Sequence, residues 1–234
     1  MTNHPLVSAS EWLVARRRLL EKEKEFTLAR ERLSVERRAL PWVELEKNYV
    51  FETQAGKKTL AELFAGRSQL VVYHFMFGAD SEAGCPGCSF WADSFDHIGP
   101  HLNARDTAFL AVSRAPLEKL LAYRARLGWR FDWASSLAND FNYDLSVAFT
   151  PEEQAAKAPL YNYGKERVGS AEKPGISVFA REGERIFHTY SCYARGIDMM
   201  NTAYQYLDLV PKGRDEQGLD FSMKWLKRRD EYAR

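Results

Sequence analysis

Cysteine is scarce in this chain: Cys85, Cys88 and Cys192 are the only three in 234 residues. So small and odd a number excludes a fold framed by disulfides and leaves the thiols to redox or metal chemistry. A charge excess is missing too, with 33 Lys+Arg against 32 Asp+Glu and a formal net charge of +1. Proteins that neutralise phosphates gather a basic surplus on one face, so nucleic-acid binding is excluded as the main activity. No run of about 20 apolar residues occurs, and Met1 to Phe26 lacks the apolar core of roughly 7–15 residues that marks a secretory signal. The chain therefore reads as cytoplasmic, with no membrane partner. What is present, 45% hydrophobic and 28% charged residues, describes an ordinary globular chain. At this length folding buries about 70% of the unfolded surface, so neither a disulfide nor a structural metal is needed for stability.

The first segment predicts a long helix. Ser8 and Glu11 have the spacing of a capping box, and Trp12, Leu19, Phe26, Leu33 and Leu40 recur every seven residues, with Ala15 and Ala29 between them. Pro41 closes it. Lys22 and Glu36 interrupt the second position of the heptad, which narrows the seam. The stripe either packs on its own domain or joins a second copy of the chain in a homodimer. From Tyr49 the period changes: a strand at Tyr49 to Glu52, a turn, and a second capping box, Thr59 with Glu62, opening a helix from Leu60 to Ala65. Leu70 to Phe77 is an almost unbroken apolar run of β-branched and aromatic residues, as in a buried central strand. Beyond the Cys85 to Cys88 motif the pattern predicts a helix through Phe90, Trp91, Phe95 and Ile98. It then predicts a strand at Ala108 to Val112, a helix at Leu117 to Leu127, a short strand near Leu145 to Phe149, a hairpin at Ile176 to Ala180 and Arg185 to Tyr190, and a helix at Asp198 to Leu207. The order is that of an α/β fold. Three parts are expected: a helical extension over 1–48, the main domain over 49–210 and a tail over 211–234.

Cys85-Pro86-Gly87-Cys88 follows a strand and enters a helix. Unpaired N–H groups and the positive end of the helix dipole stabilise a thiolate at that place, lowering its pKa from about 8.5 toward 3.5–7.5. Cys85 would attack a disulfide, and Cys88, one turn inward, would resolve the mixed disulfide. Pro86 suits a first helical position, where no N–H is needed. Gly87 is less expected, since glycine weakens a first turn. A metal reading competes, because His97 and His101 follow at a spacing like that of a zinc site. A continuous helix, however, would carry His97 about 13 Å from Cys88 at 1.5 Å per residue. No metal and no cofactor are expected.

These residues resemble the thioredoxin fold, in which Lys173-Pro174-Gly175 would supply a cis-proline before the hairpin and beside the dithiol. More closely, Leu70 to Phe77, Cys85 to Phe90, Pro174 to Tyr190, Tyr193 to Gly196 and Asp230-Glu231-Tyr232 resemble a bacterial thioredoxin-like family catalogued as domain of unknown function 899. The resemblance implies a three-layer α/β fold with a central mixed sheet and an N-terminal helical extension. It further implies a thiol-disulfide oxidoreductase in which Cys85 and Cys88 react, Pro174 shapes the substrate face, and a protein or small-molecule thiol or disulfide is the partner. The alternatives are a non-catalytic interaction module, with the dithiol inert or metal-binding, and a thiol peroxidase. Departures bear on both. Thioredoxin has Trp before its first cysteine where Gly84 stands here, and a buried acid in the preceding strand where the nearest match is His74. The peroxiredoxin pattern would need Pro and Thr at the positions held by Ser81 and Cys85. His74 reads as a core histidine or a proton carrier for Cys88, Cys192 as a buried thiol, and His188 as a strand residue without a role. The aromatic cluster from Trp129 to Tyr143 reads as core or as a rim facing substrate.

Overall fold

The computed structural model describes residues 4–156 and 160–233. Helix α1 (Ala9–Arg38) begins where the capping box places it. The Ser8 hydroxyl accepts from the Glu11 N–H, and the Glu11 carboxylate takes the Ser8 N–H at 2.9 Å. Arg37 and Arg38 in its last turn face the negative end of the helix dipole. None of its residues is buried, and the stripe from Trp12 to Leu40 is exposed. This helical unit ends at Pro41, and the body runs from Trp42.

In the body, β1 (Val43–Glu44), β2 (Val50–Thr53) and β3 (Gly56–Thr59) precede a one-turn helix α2 (Leu60–Leu63). A βαβ segment follows: β4 (Gln69–His74), α3 (Pro86–Phe95), α4 (Gly99–Asn103), β5 (Thr107–Ser113), α5 (Leu117–Leu127) and β6 (Asp132–Ser135). Short helices α6 (Phe141–Asp144) and α7 (Pro151–Ala155) lead to the hairpin β7 (Gly175–Glu182) and β8 (Arg185–Tyr193), and α8 (Thr202–Leu207) closes the set. The strands form one eight-stranded sheet in the order β1-β8-β7-β4-β5-β6-β2-β3. β4, β5 and β6 are parallel to one another, and every other pairing is antiparallel. Among the described residues no helix is long and apolar enough to cross a membrane.

Strand alternation divides the core into two layers. Tyr73, Phe75 and Phe77 point to the side of α3 and α5, where they meet Trp91, Phe95, Leu120 and Tyr123. Leu70 and Val72 point the other way, to Leu60, Leu63 and Phe141. A mixed sheet with helices on both faces, a reactive motif between its central strand and the following helix, and a terminal hairpin make this a thioredoxin-like α/β fold.

Two local expectations are corrected, and one strand is added. Leu145 to Phe149 is not a strand: Ser146 takes a left-handed φ of 55°, and the N–H groups of Val147 and Ala148 both turn back to the Asn142 carbonyl. Asp132 to Ser135 is a strand the pattern does not announce. The helix expected over Asp198 to Leu207 is broken at Asn201, which ends a 3-10 segment (Ala194–Met200) and caps α8 by accepting from the Tyr204 N–H at 3.0 Å.

Candidate active site

The dithiol is built by a short circuit of backbone at the end of β4. Phe75 still bonds the Val112 carbonyl, after which the chain loops out and returns, so that the Cys85 N–H donates to the Met76 carbonyl at 3.1 Å. Cys85 is the N-cap of α3 and Pro86 its first residue, as the motif predicts. Ser89 locks the turn, its N–H and hydroxyl both donating to the Cys85 carbonyl at 2.9 Å, and its hydroxyl also meets the Tyr123 hydroxyl at 2.9 Å. Gly84, just before the reactive position, lies against the rings of Phe75 and Tyr123. A Cβ there would come within 2.8 Å and 2.7 Å of them, so no tryptophan fits where thioredoxin has one. Gly87 has a similar reason: its Cβ would stand 2.8 Å from the Met223 methyl.

The two sulfurs occupy opposite environments. Cys85 is partly exposed and Cys88 is 2% exposed. The Cys88 thiol hydrogen-bonds the Cys85 sulfur, with the N–H groups of Cys88 and Gly87 and the charge of Arg228 adding to it, and together they outweigh burial and bring Cys85 down to about 6. Burial pushes the Cys88 thiol well up, and a charge on Cys85 pushes it further. Cys88 also accepts the Met76 N–H at 3.4 Å. No disulfide joins the three cysteines. Cys192 is a buried member of the core on β8, as its apolar setting predicts.

The side chain facing the dithiol from β4 is Tyr73, not His74. Tyr73 is fully buried beside Cys88, whose proximity, after burial itself, holds the phenol neutral. His74 lies on the opposite face against Phe141, at 5.6 Å between rings. The proton-carrier role for Cys88 is thereby corrected: one step along a strand reverses the face. His74 instead starts a buried polar chain, Nε2 to the Ser177 hydroxyl at 2.9 Å, Ser177 to Ser191 at 2.8 Å, and Ser191 to His188 at 2.7 Å. Burial, and then the second imidazole, lowers His74 to about 3, so it is neutral at physiological pH.

Pro174 follows Lys173, whose N–H bonds the Val147 carbonyl, and it stands one residue before the His74–Gly175 pair that ends the β4–β7 ladder. The expected cis bond is corrected: among the described residues no peptide bond is cis. The Lys173 bond and the Tyr161 hydroxyl on the Pro174 carbonyl lead the chain into β7 without a reversal.

Over residues 1–232 the sequence matches the family described as "Bacterial protein of unknown function (DUF899)". The chain belongs to that family. No curated protein matches it. Its structure is similar to peroxidoxin BcpB from Mycobacterium tuberculosis, at 13% identity over 69% of this chain and 93% of that one, with a TM-score of 0.48. It is similar also to a PrxQ variant from Xylella fastidiosa, at 13% identity over 70% and 95%, with a TM-score of 0.46. A putative thiol-disulfide oxidoreductase from Bacteroides vulgatus shares 20% identity over 45% of this chain and 70% of that one, with a TM-score of 0.34.

Two groups near the dithiol have no sequence signal. Glu172, in the segment before β7, turns its carboxylate toward the Gly78 backbone, and its Oε1 is buried without a hydrogen-bond partner. Burial raises this carboxyl to about 7, Arg114 opposing and the Cys85 charge reinforcing. Arg114, at the end of β5, stacks over Tyr143 at 4.3 Å with its Nε buried and unpartnered. The other aromatics of that cluster, Trp129, Phe131, Trp133 and Phe141, are core.

Proposed function

We propose that this protein is a thiol-disulfide oxidoreductase. The observation that carries the reading is the contrast between neighbouring sulfurs: an N-terminal, partly exposed Cys85 lowered to about 6, and a buried Cys88 held as a thiol. The Cys85 thiolate attacks one sulfur of a disulfide, and the other sulfur leaves as a thiolate that takes up a proton. Cys88 then gives up its proton and attacks Cys85, releasing the second substrate sulfur as a thiol and leaving the Cys85–Cys88 disulfide, so that two electrons pass to the substrate. Glu172, poised to titrate near neutrality, is the nearby group able to exchange those protons. This chemistry fits the reducing cytoplasm, and the exposed α1 stripe fits pairing with a second copy of the chain.

A Cys88→Ser variant should trap a mixed disulfide with half of a disulfide substrate, and Cys85→Ser should not. Trapping by Cys85→Ser alone would reverse the roles. Alkylation of Cys85 should show a half-maximal rate near pH 6. Two thiols slow to alkylate at neutral pH would instead fit an inert interaction module.

A further inference from the structure

Residues 223–231 pass along one flank of the dithiol and are fastened along both helices that frame it. Met223 fills the space beside Gly87, and Trp225 packs on Phe90 of α3 at 5.6 Å between rings. Leu226 is buried. Arg228 donates to the Gly84 carbonyl at 2.9 Å and to the Tyr123 hydroxyl at 2.9 Å. Arg229 reaches the Leu127 carbonyl at the end of α5 and Asp93 on α3 at 3.3 Å. Arg126 of α5 holds Asp230 at 2.7 Å and Glu231 at 3.0 Å. Exposed ion pairs contribute little singly. Here they accompany a buried leucine, an aromatic pair and charged donors on carbonyls, so the segment is a fixed part of the body.

The strap occupies the flank of the motif that runs from Gly84 to Gly87, immediately beside Cys85. That has a consequence for what the thiolate can reach. In a protein disulfide the two Cα atoms are only about 4.4–6.8 Å apart, so backbone flanks the attacked sulfur on both sides. Seating such a substrate on Cys85 requires room on either flank, and one flank is filled by Met223 and Arg228. A low-molecular-weight disulfide carries only short groups on each sulfur, so far less has to be placed on the filled flank.

We propose that this strap restricts the dithiol to low-molecular-weight disulfides and excludes disulfides within polypeptides. The proposal rests on the oxidoreductase reading and adds its substrate class. It also accounts for Asp230 and Glu231, set apart by the family resemblance, since both carboxylates pin the strap to Arg126.

The test uses the full chain, a Met223→Ala variant that opens the flank while keeping every anchor, and a deletion of residues 219–234. Each is offered glutathione disulfide and insulin, and Cys85 is labelled in parallel with N-ethylmaleimide and a polymer-bearing maleimide. The full chain should reduce glutathione disulfide and leave insulin near background. It should label with the polymer reagent slower than with the small one by about tenfold or more, within the range that pocket shape supplies. Met223→Ala should raise insulin reduction and polymer labelling while the small reagents change little, and in the deletion, which also loses the Arg228 charge, both should rise relative to the small reagents. Equal reactivity of the full chain toward insulin and glutathione disulfide overturns the strap proposal alone. If the deletion fails to fold, Met223→Ala still decides, since unchanged polymer labelling in it overturns the proposal. Absence of reaction with either disulfide in all three proteins, with size-selective labelling intact, overturns the oxidoreductase reading instead.

Discussion

Arg228 donates two hydrogen bonds, at 3.2 Å and 2.9 Å, to the carbonyl of Gly84, the residue immediately before the reactive thiol. One side chain thereby satisfies a buried backbone acceptor and brings a positive charge to Cys85. Removing it by Arg228→Ala should have two separable effects. Leaving the Gly84 carbonyl with only the longer bond from the Tyr123 hydroxyl at 3.4 Å costs about 1–3 kcal/mol, to be read by urea denaturation. The alkylation midpoint of Cys85 should move upward, toward that of a free thiol. A variant with an unchanged midpoint would show that the charge does not reach the sulfur.

Gly84→Ala should destabilise the protein by about 1–3 kcal/mol, the range for overpacking a filled site. The added methyl meets the Phe75 and Tyr123 rings closer than carbon atoms approach. Thermal unfolding of the variant checks this. Gly99→Ala is the control, since nothing lies near a Cβ at that position.

Glu172 has a folded pKa of about 7, raised from the ordinary carboxylate value. A raised acid stabilises the fold fully below its unfolded pKa, and the contribution is lost as pH rises through the folded value. Wild-type protein should therefore lose stability between about pH 5 and pH 8 relative to Glu172→Gln, by up to about 3 kcal/mol. The same proton should appear in the redox chemistry. The dithiol potential of the wild type should change slope with pH near 7, and that of Glu172→Gln should not. Parallel curves for the two proteins would remove Glu172 from the site.

Deleting residues 1–40 should convert a dimer to a monomer in light scattering, because the exposed Trp12 to Leu40 stripe is the surface such pairing would use. A full-length monomer would sink this prediction.

The features legible in the sequence were those whose cause is local. The capping boxes at Ser8 and Thr59 appear as their spacing requires. Helix α5 spans Leu117–Leu127 and ends at Gly128, whose φ of 66° few other residues adopt at low cost. Cys85 and Cys88 lie where a strand-motif-helix order puts them. What escaped is held together by distant parts of the chain. Strand β6 is four residues long, and its extended state comes from pairing with β5 and β2, since Asp-Trp-Ala-Ser carries no alternation. Leu145 to Phe149 has strand-like composition, yet Asn142 captures two of its N–H groups. Glu172 and Arg228 carry no motif, because their roles depend on which backbone they meet in the folded chain. His74 shows the cost of a one-residue ambiguity: adjacent positions on β4 belong to different sides of the sheet.

The strap also sets the order in which the site is completed. Cys85 and Cys88 leave the ribosome well before Met223 and Arg228 are made. The intervening stretch of about 135 residues takes roughly 7–27 s at 5–20 residues per second. Through that interval the nascent motif lacks the guanidinium that adds to the lowering of its first thiol, and the flank beside Gly87 is open. The emerging cysteine thus lacks part of what acidifies it, and it reaches full acidity only once the segment that limits its choice of partner is in place.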